Sequence, residues 1–364
     1  MTDIKPFRVS NDALGDSEEL RSRFQQEGYL FFKKLQNPDK LRSLRIEMLG
    51  AIQHSGWFKN DFDIAEGRVD PSKACTEGEE AYTRTIHEIQ KLREFHAAGH
   101  WHEVLSVLGD VVQAPILPHP SKIARLWFPQ YTEHTTPFHQ DFVHFQSNFE
   151  VISVWTPVGD CPIELGPLAV IEGSHKVNKV VDHHFSLGAG NLKVDSLEKR
   201  GIMRCNDFEI GDTLFFGCLM VHGALPNLTD DLLRVSLDNR YQQLGLPVTE
   251  GQMQPHLGDS NPTVGTLTWD KIYNSWPESD DLKHYWKKHK FKVNPSDRQF
   301  GERAYEEDLQ NASAGNKVAI ENLEQRKKGL LNRRVDPDDS AGIAEERKLR
   351  LSQIENVLNP TNTE

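Results

Sequence analysis

The sequence has few cysteines, no long apolar run and fewer basic than acidic residues. No two of its four cysteines lie closer than thirteen positions, and they are Cys75, Cys161, Cys205 and Cys218. This spacing excludes zinc ribbons, cysteine-ligated iron–sulfur clusters and a dense disulfide framework. The longest apolar run covers Leu214 to Val221, far short of the roughly 20 residues that a membrane helix needs. The N-terminus lacks the apolar segment of a signal peptide, so we expect a soluble, cytoplasmic protein.

The charge balance excludes two further classes of partner. The chain has 42 Lys and Arg against 54 Asp and Glu, a formal net charge of −12. Such an acidic chain is a poor general binder of nucleic acid or anionic membranes. The hydrophobic fraction is 37%, and the chain has 7 Trp, 18 Phe and 7 Tyr, enough for a sizeable core. We therefore expect a folded protein that acts on a small molecule.

The pattern of apolar residues divides the 364 residues into three stretches. Residues 1–120 are predicted to be mainly helical and to pack on a core formed by residues 121–245. The core is predicted from five short β-branched and aromatic runs, which are Ile123–Phe128, Glu150–Val158, Leu168–Glu172, Phe208–Phe216 and Arg234–Tyr241. Many short strands without helices between them indicate a sandwich or barrel rather than a βαβ fold.

Residues 246–364 are predicted to form a loop and a helical extension of a single catalytic domain. Leu351, Ile354 and Leu358 recur at helical spacing in this tail and form one apolar stripe. Such a stripe most often packs on its own domain. The alternative is a contact between two copies of the chain, so a homo-oligomer formed through the tail is a second hypothesis.

The first candidate for chemistry is the pair His139 and Asp141, separated by Gln140. On a strand, residues i and i+2 point to the same face. An imidazole and a carboxylate can therefore face one metal ion. A single His-x-Asp is weak evidence, because a chain with 16 histidines is expected to contain about one by chance.

Two later elements make the pattern more specific. His222 ends an apolar run, and Arg234 and Ser236 begin a strand on which Val235 and Leu237 face the other way. Two histidines and one carboxylate occupy one face of an octahedral metal, as in non-haem Fe(II) oxygenases. An arginine that faces the interior needs an anion, because a buried guanidinium without a partner is very costly. Arg234 is thus predicted to hold a carboxylate of a co-substrate.

At these residues the chain resembles the phytanoyl-CoA dioxygenase family of Fe(II)/2-oxoglutarate-dependent oxygenases. The stretch Gly166–His175, Trp155 and the segment Gln25–Leu30 are similar to further motifs of that family, and the resemblance covers roughly residues 17–243. It implies a mainly β fold with flanking helices around a double-stranded β-helix, a jelly-roll or cupin-like core that holds the metal inside. The implied cofactors are Fe(II), 2-oxoglutarate and O₂.

The resemblance also implies roles for individual residues. His139, Asp141 and His222 are the implied iron ligands, and Arg234 with Ser236 is the implied site for the distal carboxylate of 2-oxoglutarate. Arg240 has the same strand parity as Arg234 and is the alternative for this carboxylate.

The implied reaction is hydroxylation of an unactivated C–H bond of a small or medium organic substrate, with release of succinate and CO₂. Two alternatives stay open. One is a related enzyme that gives desaturation, epimerisation or cyclisation, and the other is a non-catalytic cupin-like metal-binding protein. No motif selects a particular substrate.

Overall fold

Helices and strands alternate along the computed structural model, which describes residues 4–194, 201–296, 300–332 and 341–359. The strands are β1 (Tyr29–Phe32), β2 (Ile116–Pro118), β3 (Ile123–Trp127), β4 (His139–Gln140), β5 (Ile152–Pro157), β6 (Leu168–Glu172), β7 (His184–Phe185), β8 (Leu192–Lys193), β9 (Ile202–Arg204), β10 (Thr213–Gly217), β11 (Val221–Ala224), β12 (Arg234–Gln243), β13 (Val248–Thr249) and β14 (Val293–Asn294). The α-helices are α1 (Ser17–Glu27), α2 (Pro38–Ala51), α3 (Glu80–Gln90), α4 (Arg93–Ala98), α5 (His102–Val112), α6 (Phe142–Phe145), α7 (Trp269–Tyr273), α8 (Phe300–Ser313), α9 (Lys317–Asn332) and α10 (Ala341–Leu358).

Two antiparallel sheets form the centre of the molecule. The larger has the order β1-β10-β5-β12-β2, with β3 also paired to β12, and the smaller has the order β4-β11-β6-β9. Their facing sides share one apolar core, which includes Phe31, Trp155 and Phe216 from the larger sheet and Leu168 and Val170 from the smaller. The protein is thus a mixed helix-and-sheet fold with a β-rich core.

Helices cover the outer face of the larger sheet. Val235 and Leu237 of β12 pack with residues of α2, α3 and α4, and Tyr241 of the same strand packs in a cluster with α5 residues. Because side chains alternate along a strand, the even-numbered residues of β12 face the other sheet. The predicted alternation at Arg234 and Ser236 is therefore observed.

The N-terminal helices begin and end at residues that the sequence marks clearly. The Asp16 side chain accepts a hydrogen bond from the backbone N–H of Glu19 and caps α1, which ends at Gly28 with φ of +81°. Asn37 caps α2 in the same way and is followed by Pro38 at the first helical position. These are preferred residues at such positions because they satisfy or remove unpaired backbone groups.

Two elements differ from the sequence-based predictions. The predicted run Phe208–Phe216 becomes strand β10, which begins at Thr213, and after it the chain turns at residues 218–220 and passes from the larger sheet to β11 in the smaller. Within residues 1–120, which are predicted to be mainly helical, the helical path is interrupted between α3 and α4 at Leu92, whose backbone is extended at φ −72° and ψ 123°. At the turn at residues 218–220 and at Leu92 the chain changes direction, although apolar residues occur on both sides of each position.

The apolar stripe of the tail packs within the chain. Ile354 is fully buried in a cluster with Tyr305, Ala319 and Leu323, and Leu358 lies against the same cluster. Three helices of the tail thus form a small core of their own. Among the residues described, no helix combines the length and the apolar character that crossing a bilayer requires.

Candidate active site

Two histidines meet across neighbouring strands of the smaller sheet. His139 on β4 and His222 on β11 are direct partners in the antiparallel register. Their ring centroids are 4.4 Å apart, and both side chains are almost fully buried. The strand pairing itself therefore places two imidazoles side by side, although 83 positions separate them in the sequence.

Backbone carbonyls orient both rings. His139 Nδ1 lies 2.7 Å from the carbonyl of Pro137, and His222 Nδ1 lies 3.0 Å from the carbonyl of Met220. A carbonyl only accepts, so each Nδ1 carries the proton and each Nε2 presents a lone pair. Burial also lowers the pKa of His139, which keeps this ring neutral. A neutral imidazole with a free Nε2 is the form that binds a metal ion.

The Asp141 side chain lies beside the two rings, but its backbone does not continue the strand as strand alternation predicted. The strand β4 ends at Gln140, and Asp141 has helical backbone angles of −58° and −29° at the start of α6. Its Oδ1 nevertheless lies 3.4 Å from His139 Nε2 and 3.5 Å from His222 Nε2. One ligand atom from each of the three side chains falls within 4.8 Å of the others. The spacing was informative, but the predicted conformation of Asp141 was wrong.

The second carboxylate oxygen of Asp141, Oδ2, accepts hydrogen bonds from Ser153 and Arg240. Ser153 Oγ donates a hydrogen bond to Oδ2, and Arg240 Nη2 lies 3.1 Å from Oδ2 and 3.2 Å from Oδ1. Burial pushes the pKa of Asp141 upward, yet the Arg240 guanidinium holds it well below the ordinary value. Asp141 is thus an anion with Oδ1 turned toward the imidazoles.

Arg240 is therefore expected to support metal binding. Arg240→Met should weaken Fe(II) binding by roughly 10- to 100-fold, the usual loss when an outer hydrogen-bond partner of a metal ligand is removed. Anaerobic titration with Fe(II) measures this loss. Arg240→Lys retains the charge without the planar fork and should have an intermediate effect. An unchanged Fe(II) affinity in the methionine variant would show that Arg240 does not support Asp141.

Arg234 has a different environment from Arg240. It is 2% exposed, its Nη1 donates to the carbonyl of Gly166 at 2.6 Å, and its guanidinium lies 5.5 and 5.7 Å from the ring centroids of Trp127 and Trp155. Its Nε is buried without a hydrogen-bond partner, and burial lowers its pKa to about 10. Within the described parts of the chain it makes no ion pair.

The turn that supplies the Gly166 carbonyl requires glycine. Gly166 has φ of +77°, and a Cβ there would lie 2.4 Å from the carbonyl oxygen of Leu225. Any larger residue would clash with this backbone and displace the carbonyl that Arg234 contacts. The stretch Gly166–His175 thus contributes to the site through backbone geometry as well as through side chains.

One narrow cleft joins Arg234 to the two imidazoles. Its lining includes His139, His222, Trp155 and Arg234, so an anion bound at the guanidinium lies in the same space as the metal-binding face. Ser236 Oγ is fully buried and has no hydrogen-bond partner, but Ser236 is not among the residues that line the cleft. The structure thus brings His139, His222 and Arg234 to one cleft, with Asp141 next to both imidazoles and Ser236 outside the lining.

A larger cavity opens beside the same face. It has a volume of about 620 Å³ and is lined by His139 and Asp141 together with Arg125, His144 and His256. Burial holds the pKa values of His144 and His256 well below the ordinary range, so both rings are neutral. Arg125, His144 and His256 are not among the site residues predicted from the sequence. Arg125 could have been predicted, because it lies on a predicted strand and faces the same side as Ile123 and Trp127. His256 could not, because it lies in a loop without periodicity.

The buried site defines the class of the protein. Two imidazoles that meet one carboxylate, with an arginine in the same cleft as the imidazoles, are the elements of an iron- and 2-oxoglutarate-dependent oxygenase. Residues 24–236, well over half of the chain, match the model of the family described as phytanoyl-CoA dioxygenase (PhyH). The chain belongs to this family, and it is an oxidoreductase whose cofactors are iron and 2-oxoglutarate.

Two curated relatives have the same name. The chain is similar to 1-deoxypentalenic acid 11-beta-hydroxylase of Streptomyces exfoliatus, with 25% identity over 264 residues, 66% of this chain and 87% of the relative. The enzyme of the same name from Streptomyces arenae is 24% identical over 263 residues, with the same two shares. A solved structure, the alpha-ketoglutarate-dependent epimerase SnoN from nogalamycin biosynthesis, has 15% identity and a TM-score of 0.44, and the match covers 71% of this chain and 98% of SnoN.

Proposed function

We propose that the protein hydroxylates an unactivated C–H bond of a small or medium organic substrate, with His139, Asp141 and His222 as the iron ligands. The observation that carries the proposal is the cleft in which the two imidazoles and Arg234 face one another. Bound iron, together with 2-oxoglutarate and O₂, supplies the oxidising chemistry. The protein supplies ligands, orientation and a space from which water is largely excluded.

Arg234 is proposed to bind the distal carboxylate of 2-oxoglutarate. Its buried Nε lacks a partner, and it has no carboxylate from the described chain, so an incoming anion meets a guanidinium that is already desolvated. Charge-assisted bonds to a planar guanidinium are strong and geometrically selective. Ser236, two residues on along the same strand face, is proposed to support this carboxylate. Arg240 is already engaged with Asp141, which favours Arg234 over the alternative arginine.

The two sheets are proposed to be the two halves of a double-stranded β-helix. Support comes from their shared apolar core and from the crossing of the chain between sheets at residues 218–220. In this arrangement both imidazoles come from the smaller sheet and Arg234 comes from the larger one. The proposed catalytic core is residues 121–245, and one wall of the larger cavity comes from residues 250–267 beyond it.

The hydroxylation outcome is supported by the names of the two curated relatives. Its test is a compound panel incubated with the purified protein, Fe(II), 2-oxoglutarate and ¹⁸O₂, with succinate and product mass as readouts. We expect succinate to form in step with a product that gains one ¹⁸O atom. A product that loses two hydrogens or retains its mass would support desaturation, cyclisation or epimerisation. Absence of succinate under all conditions would favour a non-catalytic metal-binding protein.

A further inference from the structure

The strand that carries His139 is short and lies at the edge of its sheet. Strand β4 has two residues, His139 and Gln140, and it pairs with β11 at one end of the smaller sheet. An edge strand has backbone N–H and C=O groups that no neighbouring strand pairs. On the open side of β4 these groups meet residues 179–194, a segment that contains β7 and β8 and that we call the strap.

The strap holds Gln140 through both its backbone and its side chain. The backbone N–H of Gln140 donates to His183 Nε2 at 3.0 Å. The side-chain Oε1 accepts a hydrogen bond from the N–H of Val181 at 2.8 Å, and Nε2 donates to the carbonyl of Lys179 at 3.1 Å. The same Nε2 donates to the carbonyl of Leu219 at 2.8 Å, in the turn before β11. The fully buried Gln140 thus joins β4 to the strap and to this turn.

The ring of His183 is oriented to accept the hydrogen bond from Gln140. Its Nδ1 lies 2.7 Å from the carbonyl of Val181. A carbonyl only accepts, so Nδ1 carries the proton and Nε2 presents a lone pair. A lone pair at Nε2 is what the N–H of Gln140 requires. The backbone of the strap therefore selects the tautomer with which His183 pairs β4.

The strap also contacts the chain on the other side of His139. The N–H of Val194 donates to the carbonyl of Phe138 at 2.6 Å. Gly188 has φ of +106°, and a Cβ there would clash with the carbonyl oxygen of Thr135, so the strap packs directly on the loop before β4. Three residues of the strap line the cavity of about 620 Å³, and these are Ala189, Gly190 and Leu192. The strap is thus both a wall of the cavity and the outer support of β4.

We propose that His183 is a positioning residue for the iron site, because it holds the backbone of Gln140 between His139 and Asp141. The proposal rests on the proposed function, since it takes these two side chains as iron ligands. A metal binds less tightly when only a fraction of the protein has its ligands in place. Without His183 the Gln140 N–H loses its acceptor, and the conformation of β4 that presents the ligands is less populated before iron binds.

Anaerobic titration with Fe(II) tests this role in three variants. His183→Leu retains much of the bulk of the ring and removes the acceptor, so it should raise the Kd for Fe(II) about 3- to 10-fold, the effect of one hydrogen bond. His183→Gln places an amide oxygen near the position of Nε2 and should restore the Kd to within about two-fold of the wild-type value. His183→Ala only removes atoms and repeats the test should the leucine variant not fold.

The matched control is His87→Leu. His87 is a buried residue of α3 whose Nε2 lies 3.0 Å from the carbonyl of Leu257, so it also makes a long-range hydrogen bond to the backbone. Its partner lies in a loop that carries no proposed ligand. His87→Leu should lower thermal stability at least as much as His183→Leu and leave the Kd for Fe(II) unchanged. A merely structural role of His183 would give the two leucine variants the same effects.

Hydrogen exchange of the metal-free protein reports on β4 directly. The Gln140 amide should exchange faster in His183→Leu than in the wild-type protein and slow again in His183→Gln, because an amide exchanges when its hydrogen bond opens. Three results would each overturn the positioning role. They are a wild-type Kd for Fe(II) in the leucine and alanine variants, a glutamine variant as weak as the leucine variant, and an equal loss of affinity in His87→Leu.

The positioning role and the proposed function fail separately. If the wild-type protein binds no Fe(II), the ligand set is wrong and both are overturned. If the wild-type protein binds Fe(II) and releases succinate, and the His183 variants bind Fe(II) equally well, the oxygenase function stands and the strap does not support the metal site.

Discussion

Replacing any one of His139, Asp141 or His222 with alanine should abolish turnover of 2-oxoglutarate. Each side chain contributes one of three ligand atoms that lie within 4.8 Å of one another, and three ligands hold iron on one face while leaving positions open. Loss of one ligand should weaken Fe(II) binding by more than the roughly 10- to 100-fold expected for an outer partner. Anaerobic Fe(II) titration and succinate release measure the two effects.

The control for these variants is a histidine outside the site. His102 is exposed at the start of α5, so His102→Ala should bind Fe(II) and release succinate like the wild-type protein. Circular dichroism and thermal unfolding check that all four variants remain folded. A variant at position 139, 141 or 222 with wild-type Fe(II) affinity would remove that residue from the ligand set.

Arg234→Ala should raise the KM for 2-oxoglutarate while leaving Fe(II) binding nearly intact. The guanidinium lies in the same cleft as the imidazoles but makes no contact with Asp141, unlike Arg240. Charge-assisted hydrogen bonds are worth roughly 1.5–3 kcal/mol, which corresponds to about ten- to a hundred-fold in affinity. Arg234→Lys should fall within this range because it retains the charge and loses the fork. Arg234→Ala should be worse.

The two arginines provide controls for each other. At saturating Fe(II), Arg240→Met should retain most of its affinity for 2-oxoglutarate, and Arg234→Ala should lose it. For the binding of Fe(II) alone, Arg240→Met should show the larger loss of affinity and Arg234→Ala the smaller. If Arg240→Met lost 2-oxoglutarate binding while Arg234→Ala retained it, the distal carboxylate would belong to Arg240.

Local patterns in the sequence predicted much of the fold. The run Leu168–Glu172 is a strand with the predicted bounds, and the strand beginning at Arg234 extends two residues beyond the predicted Tyr241. Asp16 and Asn37 cap α1 and α2, which lie within the stretch predicted to be mainly helical. These elements follow short-range rules, in which a residue's neighbours determine its backbone and the face to which it points.

The elements that escaped prediction depend on long-range contacts. No periodicity indicates that Asp141 leaves the strand, that Arg240 pairs with a carboxylate 99 positions away, or that His256 reaches the cavity from a loop. The turn at residues 218–220 lies within an apolar run because both strands that it joins are buried. Such features arise when distant segments meet, and the sequence indicated only the residue types required.

The most direct test of the site is anaerobic titration of the wild-type protein, first with Fe(II) and then with 2-oxoglutarate. Absorbance in the visible range reports chelation of the iron by the keto acid. We expect one Fe(II) per chain, and a charge-transfer band that develops with 2-oxoglutarate and saturates at one equivalent per iron. Fe(II) that fails to bind, or a protein with bound Fe(II) that gives no band with 2-oxoglutarate, would contradict the assignment of this cleft to iron and its co-substrate.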